Sequence, residues 1–340
     1  MSGGGGPLLA LVAPAGPAIA PETPVLGLAL ARRTVLAARK AGFGRITVVG
    51  ASPALAAALD GSGAELVVGA PPGAVLLPWN VVVRTKDMRE LANGAAAAGV
   101  PVASPADLPR AEEFLLKGLI KDTDGFMSRY FDRKISLAIS RRLAGTRVTP
   151  NQMTLVAVGI GLAGAPFFLS PRPAVQLLGG SLFLLHSIVD GCDGELARLK
   201  FQESRWGGVL DFWGDNAVHM TVFAAMALGL ARAKGAAWPL LCGAAAVLAT
   251  AASAFFVYRR TMVDPKEGPL YTSVATHGET SVSRIADALS RRDFIYLVLI
   301  LSAFGKADWF IVLSAIAVPA FFLAVLVVAW NDRRVARSVA

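Results

Sequence analysis

The chain has 340 residues, 54% of them hydrophobic and only 17% charged, with a mean hydropathy of +0.55. An average soluble domain is about 45–50% apolar and about 25% charged, so a disordered chain, a coiled coil and an ordinary soluble enzyme of this length are excluded. A multi-pass membrane protein with a soluble portion fits. The net charge is +9, but the basic residues border apolar runs, which points to membrane topology and away from a nucleic-acid partner. Cys192 and Cys242 are too few for a disulfide framework and have no metal-ligand spacing.

The first 112 residues contain no apolar run long enough to cross a bilayer. Short strand-like runs at Leu8–Val12, Arg45–Val49 and Glu65–Val68 alternate with helical stretches at Val25–Ala41 and Ala54–Leu59. Further strands are expected in Val75–Val83 and Val102–Ala103. This alternation predicts a parallel sheet with helices on its faces. The Gly-rich start lacks the Gly-Lys-Ser/Thr ending of a phosphate-binding P-loop. No basic segment precedes an apolar core, so no secretory leader is expected.

Residues 113–148 mix Phe126, Tyr130, Phe131 and Ile135 with Arg129, Arg133, Lys134 and Arg141. A basic, aromatic amphipathic helix ahead of a span reads as an interfacial helix. Six apolar segments follow, near 152–169, 174–191, 208–231, 237–258, 293–304 and 308–330; a span needs about 20 residues. Eighteen Lys and Arg fall on one side of this layout, among them Lys266, Arg284, Arg291 and Arg292, and four on the other. The positive-inside rule then puts both termini and the N-terminal region in the cytoplasm.

The second and third segments carry Asp190, Asp193, Asp211 and Asp215. Ionisable residues in spans are costly and mark functional sites. Asp190 and Asp193 are i and i+3, and Asp211 and Asp215 i and i+4, so each pair shares a helix face. A short linker makes the two helices antiparallel neighbours with these faces at one depth. Four converging carboxylates repel unless a cation joins them, and oxygen ligands favour Mg²⁺, Mn²⁺ or Ca²⁺ over zinc. Gly194, Ala197 and Gly207 leave room for a ligand, and Arg198 can pair with a carboxylate or a phosphate.

Asp190-x2-Asp193-Gly194-x2-Ala197-Arg198-x8-Gly207-x3-Asp211-x3-Asp215 resembles the signature of the CDP-alcohol phosphotransferases at every position. The resemblance implies an all-α, six-span transmembrane domain at 149–335, after a soluble α/β, Rossmann-like domain at 1–112. It implies transfer of a substituted phosphate from a CDP-alcohol to an acceptor hydroxyl, with release of CMP. The four aspartates are then expected to hold one or two Mg²⁺ or Mn²⁺ ions, with Asp215 also acting as general base. Asn151, Gly194, Ala197, Arg198 and Gly207 are expected to line the CDP pocket, and Arg259 and Arg260 to hold an acceptor phosphate. A homodimer in the cell membrane, with its site facing the cytoplasm, is also implied.

Residues 121–154 resemble a narrower branch, in which a cytidylyltransferase-like domain precedes the membrane domain and di-myo-inositol phosphate phosphate is made from CDP-inositol and inositol phosphate. The N-terminal region departs from that pattern: no basic residue precedes Arg32, and the expected metal-binding Asp is missing. A degenerate nucleotidyltransferase-like domain is therefore expected, one that docks a partner, a separate cytidylyltransferase, or nothing. A CDP-diacylglycerol donor is the alternative within the enzyme class. A divalent-cation transporter and an inactive membrane scaffold are alternatives outside it, though transport has no use for the Gly194-Ala197-Arg198 segment.

Overall fold

The computed structural model describes residues 6–50, 52–96, 98–120, 124–263 and 293–339. Lys266, Arg284, Arg291 and Arg292, counted above for topology, lie outside the described residues, as do residues 121–123 of the amphipathic segment. The chain forms two compact units. One is Met1–Ile120 with Ser140–Arg147 and Arg198–Phe201; the other is Lys121–Ile139 with Val148–Ala197 and Gln202–Ala340.

The first unit is built on four parallel strands: β1 (Leu8–Val12), β4 (Arg45–Val49), β5 (Glu65–Val67) and β6 (Val75–Pro78), in the order β5-β4-β1-β6. Leu9 pairs with Ile46 on one side and Val75 on the other. Leu9, Leu11, Ile46 and Val48 turn one face toward α1 (Leu30–Ala41), whose Ala31, Val35 and Ala38 are buried against it. The order reverses between β1 and β6, the switch point at which doubly wound sheets bind ligands.

Two expected elements differ in detail. The run Val25–Ala41 is not one helix. Leu26 and Gly27 take left-handed backbone angles, φ 46 and 82, which close a tight hairpin between β2 (Pro24–Val25) and β3 (Leu28–Ala29). The helix starts only at Leu30. A side chain at Gly27 would also lie 2.3 Å from the Ala144 carbonyl oxygen. Val75–Val83 is likewise two strands, β6 and β7 (Val81–Val83), and β7 pairs antiparallel with β8 at Gly99–Pro101, where Val102–Ala103 was expected. The remaining helices of this unit are α2 (Pro53–Leu59), α3 (Thr85–Ala92) and α4 (Leu108–Lys117).

Arg33 stabilises the hairpin. It is 3% exposed, and its Nε and Nη2 donate to the Val25 carbonyl at 3.1 and 2.9 Å, with Nη2 also reaching Leu26. Burial pulls its guanidinium down to about 10, with Glu112 pulling the other way. An Arg33→Leu change strands these carbonyls at about 1–3 kcal/mol for an unsatisfied buried group. Hydrogen exchange of the full-length chain should speed up across residues 20–35 while β1 and β4 stay protected.

The second unit is helical: α5 (Arg133–Leu143, shared with the first unit at its end), α6 (Pro150–Gly164), α7 (Pro173–Lys200), α8 (Arg205–Lys234), α9 (Trp238–Tyr258), α10 (Phe294–Ala303) and α11 (Ala307–Val339). Phe168, Phe183, Val222, Phe223, Phe310 and Ile311 belong to its core. Among the described residues four segments are long and apolar enough to cross a membrane: Pro150–Leu169, Pro173–Lys200, Trp238–Met262 and Ala307–Asn331. Six were expected. The 30-residue α8 is long enough, but its first half carries Asp211, Asp215, Asn216 and His219; α10 has only 10 residues.

Candidate active site

Helix α6 packs against both α7 and α8. It is parallel to α8: Asn151 meets Gly207, Val158 meets Gly214, and Gly161 meets Val218. It is antiparallel to α7: Thr154 meets Asp193, and Ala157 meets His186. Small residues allow this fit. A Cβ on Gly161 would come 2.5 Å from Val218 Cγ1 and 3.0 Å from His186 Cγ, so at this level α6 touches both neighbours. A capping box fixes where α6 starts. Thr149 Oγ1 accepts from the Gln152 amide, Gln152 Oε1 accepts from the Thr149 amide, and Pro150 follows the cap.

The motif aspartates gather where α7 and α8 face each other. Asp190, Asp211 and Asp215 each offer a carboxylate oxygen, and the three lie within 4.8 Å of one another. Oδ1 of each is withdrawn from solvent. The donor set is all oxygen, the kind that hard divalent cations such as Mg²⁺ or Mn²⁺ take. Asp193 lies outside this trio. It is 8% exposed; its Oδ2 accepts from Thr154 Oγ1 and its Oδ1 from the Gly194 amide.

The residues expected at the nucleotide lie at the start of α6, the end of α7 and the start of α8. Asn151 Oδ1 lies 2.9 Å from where a Gly207 side chain would begin, and Ser204 Oγ 3.0 Å from it, so only glycine fits there without displacing Asn151. Ser204 caps α8 by accepting from the Gly207 amide. Gly194, Ala197 and Arg198 occupy the last two turns of α7 and are half-buried. Arg259 and Arg260 lie on a π-helical turn, Arg259–Val263, that continues α9. Arg259 is exposed and stands over the Phe255 ring at 6.0 Å.

The description of CDP-alcohol phosphatidyltransferases matches residues 147–330. The chain belongs to that family. A bifunctional IPC transferase and DIPP synthase of Thermococcus kodakarensis is 40% identical over 127 residues, 37% of this chain and 28% of the relative. One of the same name from Rubrobacter xylanophilus is 36% identical over 190 residues, covering 53% and 42%. An archaetidylinositol phosphate synthase of Pyrococcus horikoshii is 34% identical over 92 residues, covering 27% and 47%. The matches thus span less than half the length of each of these relatives. Among solved structures, a Mycobacterium tuberculosis phosphatidylinositol phosphate synthase with CDP-DAG bound gives a TM-score of 0.41 at 18% identity, covering 58% of this chain and 94% of that one.

Two residues outside the family signature support the aspartates. Thr154, 2% exposed, donates to Asp193 and also reaches the Pro150 carbonyl at 3.3 Å. His186 lies one turn before Asp190 and is also 2% exposed. Its Nδ1 is 2.9 Å from the Ala157 carbonyl, which can only accept, so that nitrogen carries the proton. Its Nε2 faces Asp215 Oδ1 at 3.6 Å. The signal for both was faint: a polar residue three or four positions from a motif residue, on a helix with no polar face. His219 stands edge-on to Phe183 and Phe294.

A hydrogen bond to a charged acceptor contributes about 1.5–3 kcal/mol. Thr154→Val should therefore lower the thermal midpoint of the chain in detergent, whereas Thr154→Ser, which keeps the hydroxyl, should stay near the parent. Circular dichroism melts of the three proteins side by side check this.

Proposed function

We propose that the chain transfers a substituted phosphate from a CDP-alcohol to an acceptor hydroxyl at the junction of α6, α7 and α8, releasing CMP. The observation that carries this is the trio of carboxylate oxygens within 4.8 Å of one another, in a chain of a family named for CDP-alcohol transfer. Asp190, Asp211 and Asp215, with Asp193 beside them, hold one or two Mg²⁺ or Mn²⁺ ions. Such ions neutralise the donor diphosphate and stabilise the departing CMP. Asp215 accepts the proton of the attacking hydroxyl. Asn151, Gly194, Ala197, Arg198 and Gly207 bind the cytidine diphosphate, and Arg259 and Arg260 bind the acceptor phosphate. The names of two relatives, IPC transferase and DIPP synthase, support CDP-inositol as donor and inositol phosphate as acceptor.

The same reading makes α8 and α10 spans alongside the four apolar segments, in the cell membrane, with both termini and the site cytoplasmic. Phe126, Tyr130, Phe131 and Ile135 are exposed on the amphipathic segment and lie against the lipid surface. The N-terminal unit is a nucleotidyltransferase-like fold that has lost its chemistry. Its switch-point loop, residues 13–23, carries no Lys or Arg to meet a triphosphate. A separate cytidylyltransferase then supplies the donor.

Full-length protein in detergent with Mg²⁺ should release CMP from CDP-inositol when inositol phosphate is added. CDP-glycerol and CDP-diacylglycerol serve as rival donors. Asp215→Asn should cut the rate by about 10²-fold or more, the scale of a lost general base, and EDTA should abolish it until Mg²⁺ or Mn²⁺ is restored. Release from CDP-diacylglycerol alone moves the reading to phospholipid synthesis; the absence of both CMP release and metal-dependent CDP binding overturns it.

Given CTP and inositol phosphate in place of CDP-inositol, the same preparation should form no CDP-inositol. Pyrophosphate release in that assay would show an active N-terminal unit.

A further inference from the structure

The side of α7 turned away from the aspartates carries a buried acid that the proposed reaction does not use. At about 100° per residue, Glu195 falls roughly 140° from Asp190 and roughly 160° from Asp193. Its side chain is fully buried, at 0%. Arg133 Nη1 donates to Glu195 Oε1 at 2.8 Å, and Ser136 Oγ donates to the same oxygen at 2.7 Å. Arg133 is itself clamped from behind: its Nε and Nη2 donate to the two carboxylate oxygens of Asp124, each at 2.9 Å. Burial works against the Arg133 charge, but Asp124 and Glu195 outweigh it and hold the guanidinium above its ordinary range.

This pair joins the amphipathic segment to the motif helix beside the metal-binding residues. Arg133 Nη1 lies 3.4 Å from where a Gly191 side chain would begin, and Cys192 Sγ sits 3.6 Å from the Ser136 carbonyl. Gly191, Cys192 and Glu195 thus form one contact strip for Arg133 and Ser136, while Asp190 and Asp193 face the other way. The amphipathic segment has separate anchors on α10: Tyr296 donates to Asp132, and Asp293 accepts from the Phe126 amide at 3.1 Å. Losing the Arg133 contact therefore frees α7 to roll without releasing the segment.

We propose that Arg133 and Glu195 are positioning residues. Their buried pair, closed by Asp124 and Ser136, fixes the roll of α7 so that Asp190 points at Asp211 and Asp215. The inference rests on the metal-site reading above. A direct geometric role and a mere charge effect predict opposite signs. Arg133 is a cation close to a cation site, so deleting its charge alone tightens metal binding. Deleting its positioning role weakens it, by about tenfold, the low end for a residue that orients metal ligands.

The test is Mn²⁺ titration of the full chain in detergent, followed by electron paramagnetic resonance, with apo thermal midpoints measured in parallel. Arg133→Ala should raise the half-saturating Mn²⁺ concentration about tenfold. Arg133→Lys keeps the charge but cannot grip Asp124 with two parallel bonds while reaching Glu195, and should raise it by a smaller factor. If the alanine variant lacks the parent's helicity, the lysine variant decides by the same criterion. An unchanged or lower Mn²⁺ midpoint in the folded variants overturns the proposal, even with a lower thermal midpoint, because that pattern is structural support alone. Failure of the unmutated chain to bind Mn²⁺ overturns the metal-site reading itself, a separate and recognisable outcome.

Discussion

The helical unit is organised around a repulsion. Three carboxylate oxygens lie within 4.8 Å of one another, and ionised carboxylates so placed oppose one another by on the order of 3 kcal/mol per pair at an effective dielectric near 20. A bundle keeps such a trio only if its backbone is held firmly and a cation or a shared proton offsets the charges. The first requirement is visible in the surrounding residues. Thr154 takes up Asp193, His186 stands behind Asp215, and α6 packs closely against both α7 and α8. The donors are all oxygens, which suits a hard divalent ion.

That arrangement depends on how closely helices can approach. Apolar side chains gain nothing from leaving lipid, so helices in a membrane associate through packing and small residues. Gly161 lets α6 reach His186 and Val218 together, and Gly207 lets Asn151 reach the start of α8. The capping box at Thr149 sets the register of α6, which places Asn151 and Thr154 at the level of the aspartates. A methyl group at either glycine would disturb the site without touching a carboxylate.

The N-terminal unit follows a different logic, since its apolar core lies between a parallel sheet and α1. The alternation of short apolar runs was enough to read a parallel α/β arrangement. The hairpin at Leu26 and Gly27 was hidden, because a leucine in left-handed backbone conformation has no sequence signal. It persists where Arg33, eight residues after Val25, reaches back to the carbonyls of the turn. The split of Val75–Val83 was hidden for a related reason: a run of nine apolar or turn-tolerant residues reads the same whether it is one strand or two.

The sequence by itself determined the family, the α/β-then-helical order and the spacing that puts Asp190 with Asp193 and Asp211 with Asp215, because all of these are local periodicities or an eight-position pattern. The tertiary structure alone decided which acids meet. Asp190 joins Asp211 and Asp215, while Asp193 turns to Thr154, because the packing of α6 against α7 offers Asp193 a hydroxyl. The same holds for Glu195 and Arg133, 62 residues apart. Each looks like an ordinary solvated charge in its own helix. Their pairing exists only because packing buries both, and burial of a charge demands a partner that no local pattern can name.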